Sequence, residues 1–172
     1  MTRLFVAVWP DAATAERLRA LDRTDEPGVR WVPEPNRHVT LRFLGEADPA
    51  TAIGLLGTAT LPAATAVLGP VVERLDGRQI VVPVAGVDDL ADAVRTATAT
   101  IGEHDPRPFR GHLTIARTRR GEPSAVLGAA ITCRFTVDEI ALVSSDLRPT
   151  GAVYTTLETF LCHRSVRRRT DR

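Results

Sequence analysis

His38-Val39-Thr40-Leu41 and His112-Leu113-Thr114-Ile115 are one tetrapeptide written twice: histidine, apolar, threonine, apolar. Their first residues stand 74 positions apart in a chain of 172 residues. Each copy lies in an apolar run with period-two alternation, the pattern of a β-strand. Side chains alternate across a strand, so His38 and Thr40 are expected on one face and Val39, Leu41 and Phe43 on the other. In the second copy His112 and Thr114 share a face against Leu113 and Ile115. Each copy offers an imidazole beside a hydroxyl, backed by an apolar face fit for burial. Two such strands brought together make a site of two imidazoles and two hydroxyls. The same parity puts Arg42 with His38 and Thr40. Arg117, five residues after His112, falls on the wrong face unless a bulge or the strand end brings it round.

Outward from the motifs, the chain reads as a mixture of helices and strands. Leu4 to Trp9 is an apolar strand ended by Pro10, and Asp11 caps a helix running to about Arg23. Trp31-Val32 is a short extended piece stopped by Pro33 and Pro35. Asp48-Pro49 is a helix start, with the helix ending before Pro62. Val67 to Val72 and Gln79 to Val84 read as strands with an Asp76-Gly77 turn between them. Asp88 is expected to cap a helix to about Ile101, with Leu90, Ala93, Val94, Ala97 and Ile101 at helical spacing. Ile131 to Phe135, Glu139 to Val143 and Ala152 to Phe160 read as closing strands. Strands and helices do not alternate cleanly, which favours an α+β fold with largely antiparallel pairing over a doubly wound one. Each motif strand has its own helices and sheet partners, so residues 1–163 are expected to form one domain of two pseudo-symmetric lobes. The tail 164–172 carries five Arg against one Asp and is expected to be disordered.

Composition removes several chemistries. All 22 basic residues are Arg and none is Lys, which excludes a lysyl-nucleotide intermediate, a Schiff base and a P-loop. A net charge of +1 argues for no global field toward nucleic acid or membrane. Cys133 and Cys162 form neither a disulfide framework nor a zinc spacing. No apolar stretch approaches a membrane span, and the N-terminus lacks a signal peptide, so a reduced, cytoplasmic protein is expected.

Histidine exchanges protons near neutral pH. Two histidines facing one atom can divide the labour, one taking a proton from water and the other giving one to a leaving oxygen. That suits displacement at phosphorus, where the attacking and leaving oxygens lie on opposite sides. Threonine hydroxyls and arginine can serve the non-bridging oxygens. Against this stand a zinc site using His38, His112 and His104 or Asp105, for which no third ligand has suitable spacing, and Ser-His-Asp hydrolysis, for which no G-x-S-x-G elbow exists.

The paired His-x-Thr-x motif resembles the signature of the two-histidine (2H) phosphoesterases. Within them the chain is similar to the LigT-like RNA 2',3'-cyclic phosphodiesterases. Arg3 to Asp11 resembles that family's opening strand, Trp31-Val-Pro and His38 to Gly45 its first motif, and Phe109 to Arg117 its second. Arg110-Gly111 stands where a proline commonly precedes the histidine. Leu142 to Tyr154 resembles the closing segment. The resemblance implies a bilobal α+β fold in which two largely antiparallel sheets flank a central cleft, with helices outside and both histidines on the cleft floor. It implies metal-free, cofactor-free hydrolysis of an RNA 2',3'-cyclic phosphate to a 2'-phosphomonoester. Some relatives also join RNA ends through a 2'-5' linkage. His38 would be the acid and His112 the base, with Thr40, Thr114 and Arg117 binding phosphate. Phe5, Phe43 or Tyr154 could stack on a base, although parity puts Phe43 in the core. The expected partners are RNA ends or nucleotides bearing a 2',3'-cyclic phosphate, met by a monomer. A nucleotide- or RNA-end-binding module that uses the same cleft without turnover is the alternative.

Overall fold

The computed structural model describes residues 1–22, 26–149 and 151–163; the basic tail lies outside the described residues. Strand β1 (Thr2–Val8) is buried from Leu4 onward on both faces. Helix α1 (Ala12–Arg19) starts where Asp11 accepts a hydrogen bond from the Thr14 amide at 2.8 Å. Strand β2 (Arg30–Trp31) stops before Pro33, and a single 3-10 turn, Glu34–Asn36, leads into β3 (Val39–Ala47). Asp48 caps α2 (Pro49–Gly57) through the Thr51 amide, with Pro49 at the first helical position, where an amide proton would have no partner.

Strands β4 (Ala64–Leu68), β5 (Glu73–Leu75) and β6 (Gln79–Ala85) follow. Asp76 and Gly77 take φ angles of 52° and 73° between β5 and β6. The expected turn is therefore real, but its first arm is the short β5, and the strand before it ends at Leu68. Helix α3 (Asp88–Ala97) buries Leu90, Ala91 and Val94. Val87, not Asp88, occupies its N-cap; the Asp88 carboxylate sits in the first turn, where the helix dipole favours it. Strands β7 (His112–Arg117), β8 (Cys133–Val137), β9 (Glu139–Arg148) and β10 (Gly151–Leu161) complete the fold.

The strands form one sheet in the order β10-β9-β1-β3-β7-β6-β4-β8, with β2 added to β7 and β5 to β6. The ladders are antiparallel. The two motif strands, β3 and β7, are the innermost strands of two four-stranded halves. The halves are joined between them by one residue pair, Val39 opposite Leu113. These are the apolar residues between histidine and threonine in each motif. The two expected sheets are thus continuous, and the motifs meet at the seam. Behind it, Val39, Leu41, Leu113 and Ile115 are buried in one core with Leu90 and Val94 of α3. A smaller cluster of Phe5, Ala7, Ala141 and Val143, with Trp9 and Tyr154 against it, lies on the side of β1 that carries the cleft.

Candidate active site

Both motif strands lose register one residue after their threonine. On β3, Thr40 pairs with Ala7 and Arg42 with Val6, leaving Leu41 without a partner on β1. On β7, Thr114 pairs with Val81 and Ala116 with Ile80, leaving Ile115 over. A β-bulge of this kind puts two successive side chains on one face and resets the alternation beyond them. Leu41 and Arg42 both turn to the helix-covered side, as do the buried Ile115 and Ala116. The fifth residue after each histidine then comes back to the front. In the second motif this is Arg117, which lines the cleft; in the first it is Phe43, which does the same.

Two expectations from simple alternation are corrected by this. Phe43 is not a core residue: it is 37% exposed at the cleft. Arg42 does not stand beside Thr40: its guanidinium donates to the carbonyls of Arg95 at 2.7 Å and Ile101 at 3.0 Å, tying β3 to the C-terminal end of α3.

His38, Thr40, His112, Thr114 and Arg117 all line one cleft of about 270 Å³. The two histidines are held by the same local device. His38 Nδ1 lies 2.8 Å from the Asn36 carbonyl, and His112 Nδ1 lies 2.7 Å from the Arg110 carbonyl, each two residues upstream. A carbonyl can only accept, so each Nδ1 carries the proton and donates it. Nε2 is then the nitrogen left to exchange a proton with a ligand in the cleft.

What carries the two carbonyls differs. Asn36 closes the 3-10 turn, and its side-chain amide donates to the Ala152 carbonyl at 3.0 Å. The next residue, Arg37, is 2% exposed; it donates to the Val32 carbonyl at 2.9 Å and to both Asp22 oxygens at 2.7 and 2.9 Å. The loop that presents Asn36 is thereby clamped to the turn that follows α1. On the other side, Gly111 packs so closely that a Cβ would come within 2.2 Å of the Val84 carbonyl. The strand bond from the Val84 amide to the Gly111 carbonyl, 2.9 Å, depends on that approach. Gly111 is thus required by its own neighbour.

The surroundings of the two imidazoles are unequal. His38 stacks on Phe5 with centroids 4.8 Å apart and meets Trp9 and Tyr154 edge-on, each at 5.3 Å. This burial pushes the imidazole below the usual histidine range. The Asn36 carbonyl opposes the shift, and the positive charges of His112 and Arg117 add to it. Phe5 and Tyr154, expected as base-stacking candidates, serve here as the walls around His38 while still lining the cleft. His112 has no such aromatic enclosure. Thr114 Oγ1 lies 3.1 Å from the Gln79 side-chain oxygen. Gln79 is also the strand partner of Arg117 and lines the same cleft, so β6 borders the second motif at both its working positions.

Sequence reasoning missed Gln79, Asn36 and Arg3 as cleft residues; none carries a motif, and only the strand pairing brings them in. His104 and Asp105, weighed as metal ligands, are not among the cleft residues, and Asp105 is held by Arg107. Among the described residues no group of three His, Cys, Asp or Glu is placed to hold a metal ion.

The sequence profile of the LigT like Phosphoesterase family matches residues 8–61, the stretch holding the first motif. Over 92% of its length the chain is 31% identical to the RNA 2',3'-cyclic phosphodiesterase of Thermus thermophilus, covering 89% of that protein. The chain belongs to the RNA 2',3'-cyclic phosphodiesterase family. It is also 34% identical over 91% of its length to the Geobacillus stearothermophilus member, of which it spans 56%. The crystal structure of E. coli LigT complexed with 3'-AMP superposes with a TM-score of 0.77 at 25% identity, over 94% of this chain and 98% of the other. The α+β architecture seen here, two half-sheets with helices behind, is therefore that of the LigT-like phosphoesterases. No helix among the described residues is long and apolar enough to cross a membrane.

Proposed function

We propose that this chain hydrolyses RNA 2',3'-cyclic phosphates to 2'-phosphomonoesters by acid/base catalysis between His38 and His112. The observation that carries the reading is the matched pair of imidazoles, each fixed through Nδ1 and each lining one cleft with a threonine and, on one side, Arg117. A cyclic phosphate lodged between them would present phosphorus to water on one side and its 3' oxygen on the other. One neutral imidazole removes the proton from water as the new P–O bond forms. The other, protonated, delivers a proton to the 3' oxygen as that bond breaks, leaving the phosphate on the 2' oxygen. Thr40, Thr114 and the Arg117 guanidinium are placed to receive charge gathering on the non-bridging oxygens.

The family pattern makes His38 the acid. Its aromatic enclosure disfavours the cation, but an anionic phosphate at Nε2 adds a negative charge that favours it. On this reading substrate binding itself charges the acid. The 3'-AMP held by the E. coli LigT neighbour is a nucleotide with phosphate on the ribose 3' oxygen, the kind of ligand the cleft would take.

The test is turnover of a nucleoside 2',3'-cyclic phosphate by purified protein with EDTA present, product identity being read by phosphorus NMR. The 2'-phosphate is expected, at an undiminished rate. Formation of the 3'-phosphate would refute proton delivery to the 3' oxygen, and activity lost to EDTA and restored by zinc would refute the metal-free two-histidine mechanism. Tight binding without turnover would make the chain a binding module.

A further inference from the structure

We propose that Arg3, laid over Phe43, forms a second anion subsite that takes the phosphodiester on the 5' side of the terminal nucleotide. This deepens the cyclic phosphodiesterase reading and rests on it. The repeated bulge brings the fifth residue after each histidine to the cleft. In the second motif that residue is a cation, Arg117; in the first it is a neutral ring, Phe43. The cation on the first half comes instead from the neighbouring strand. Arg3 of β1 lines the same cleft, its Cζ 4.7 Å from the centre of the Phe43 ring.

Among the described residues no carboxylate pairs with that charge. Arg3 is an exposed residue near the start of β1, and its register partner on β3 is a carboxylate residue, Glu46. The guanidinium lies on the ring instead, a geometry that supports the cation through its face and leaves the N–H edge open to an anion.

The distance from the chemistry suits a second phosphate. Phe5 stacks on His38, and Phe43 is the strand partner of Phe5. Arg3 stands two residues further along β1 than Phe5, about 7 Å along the strand. The guanidinium is therefore one step outward from the reacting imidazole, on the scale of one nucleotide. Arg117, in the other half beside His112, remains for the reacting phosphate. An RNA ending in a 2',3'-cyclic phosphate carries one more phosphodiester on the 5' oxygen of its last ribose. A free cyclic mononucleotide does not. A guanidinium fork at that place selects RNA ends over cyclic mononucleotides.

The test compares kcat/KM for a nucleoside 2',3'-cyclic phosphate with that for the same nucleotide carrying a 5'-(methyl phosphate) diester, which adds the phosphate without a second base. The wild-type protein is expected to favour the diester by about tenfold, the size of one charge-assisted contact at a solvated site. In Arg3→Gln the ratio is expected to fall toward one, with Arg3→Lys in between. An unchanged ratio in Arg3→Gln overturns the proposal, and an equal loss on both substrates would put Arg3 on the reacting phosphate. Wild-type turnover of both without preference sinks this inference alone. Turnover of neither sinks the cyclic phosphodiesterase reading and this inference with it.

Discussion

Replacing Arg117 by alanine probes two consequences of the bulge at Ile115 together. The first is lost transition-state binding. A charge-assisted hydrogen bond is worth about 1.5–3 kcal/mol, or roughly 10- to 150-fold in kcat/KM. Arg117 is exposed in the free protein, which places the expected loss in the lower half of that range. The second is electrostatic. The Arg117 charge is one of the causes that hold the His38 imidazole low, so its removal moves that imidazole upward. One limb of the pH profile of kcat/KM should therefore shift to higher pH while the rate falls. If His38 is the acid, the descending limb moves; if it is the base, the ascending one does. The limb that moves thus assigns the role, although both limbs belong to the coupled pair. Stability is the control. Arg117 stands opposite Arg30 across the β2–β7 ladder, a like-charged pair, so the variant should unfold within about 0.5 kcal/mol of the parent. A loss under threefold, or a limb shifted to lower pH, would refute the placement of Arg117 at the reacting phosphate.

Steady-state kinetics of His38→Ala and His112→Ala should each show a loss of about 10²–10⁴ in kcat. The double variant should lose less than their product, because both act in one transition state; intact turnover in either single variant would end the mechanism. The buried His38 also makes stability depend on pH. Its charged form is disfavoured in the fold, so below about pH 6.5 the unfolded chain binds a proton that the folded one resists, and stability falls as pH drops toward the lowered folded value. Denaturant unfolding at pH 7.5 and 5.5 should show a larger decline for the parent than for His38→Asn. Arg37→Met breaks the ion pair with Asp22 that clamps the Asn36 loop, costing about 3 kcal/mol, a fall of roughly 6–12 °C in Tm by calorimetry.

Much of this was legible in the residues because strand alternation is strict: it put His38 with Thr40 and His112 with Thr114, and the structure keeps both pairs at the cleft. It stopped being legible one residue later. Leu41 and Ile115 are the aliphatic residues any buried strand would have, and nothing in their chemistry announces an extra residue in the ladder. Arg117 needed a bulge to reach the front. Applied to the first copy as well, the same condition would have sent Arg42 to α3 and Phe43 to the cleft, since the motifs are repeats. The enclosure of His38 by Phe5, Trp9 and Tyr154 was out of reach for another reason. It joins residues from β1, the segment after it and β10, and only the long-range pairing of β1 with β9 and β9 with β10 assembles them.

The strand order also has a bearing on how the molecule comes to exist. The half built on β3 is completed by β9 and β10, while the half built on β7 takes all its main strands from between them in sequence. During synthesis β1 and β3 emerge early and then wait, through the whole of the second half, for the strands that finish their sheet. That interleaving gives the first half a large share of contacts distant in sequence, which slows folding and leaves the outer edge of β1 open to wrong partners meanwhile. The histidine made first is thus the last to acquire its walls. Capture of a ribosome-bound chain halted after β8 should find the His112 half protected from proteolysis and the His38 half still open to it.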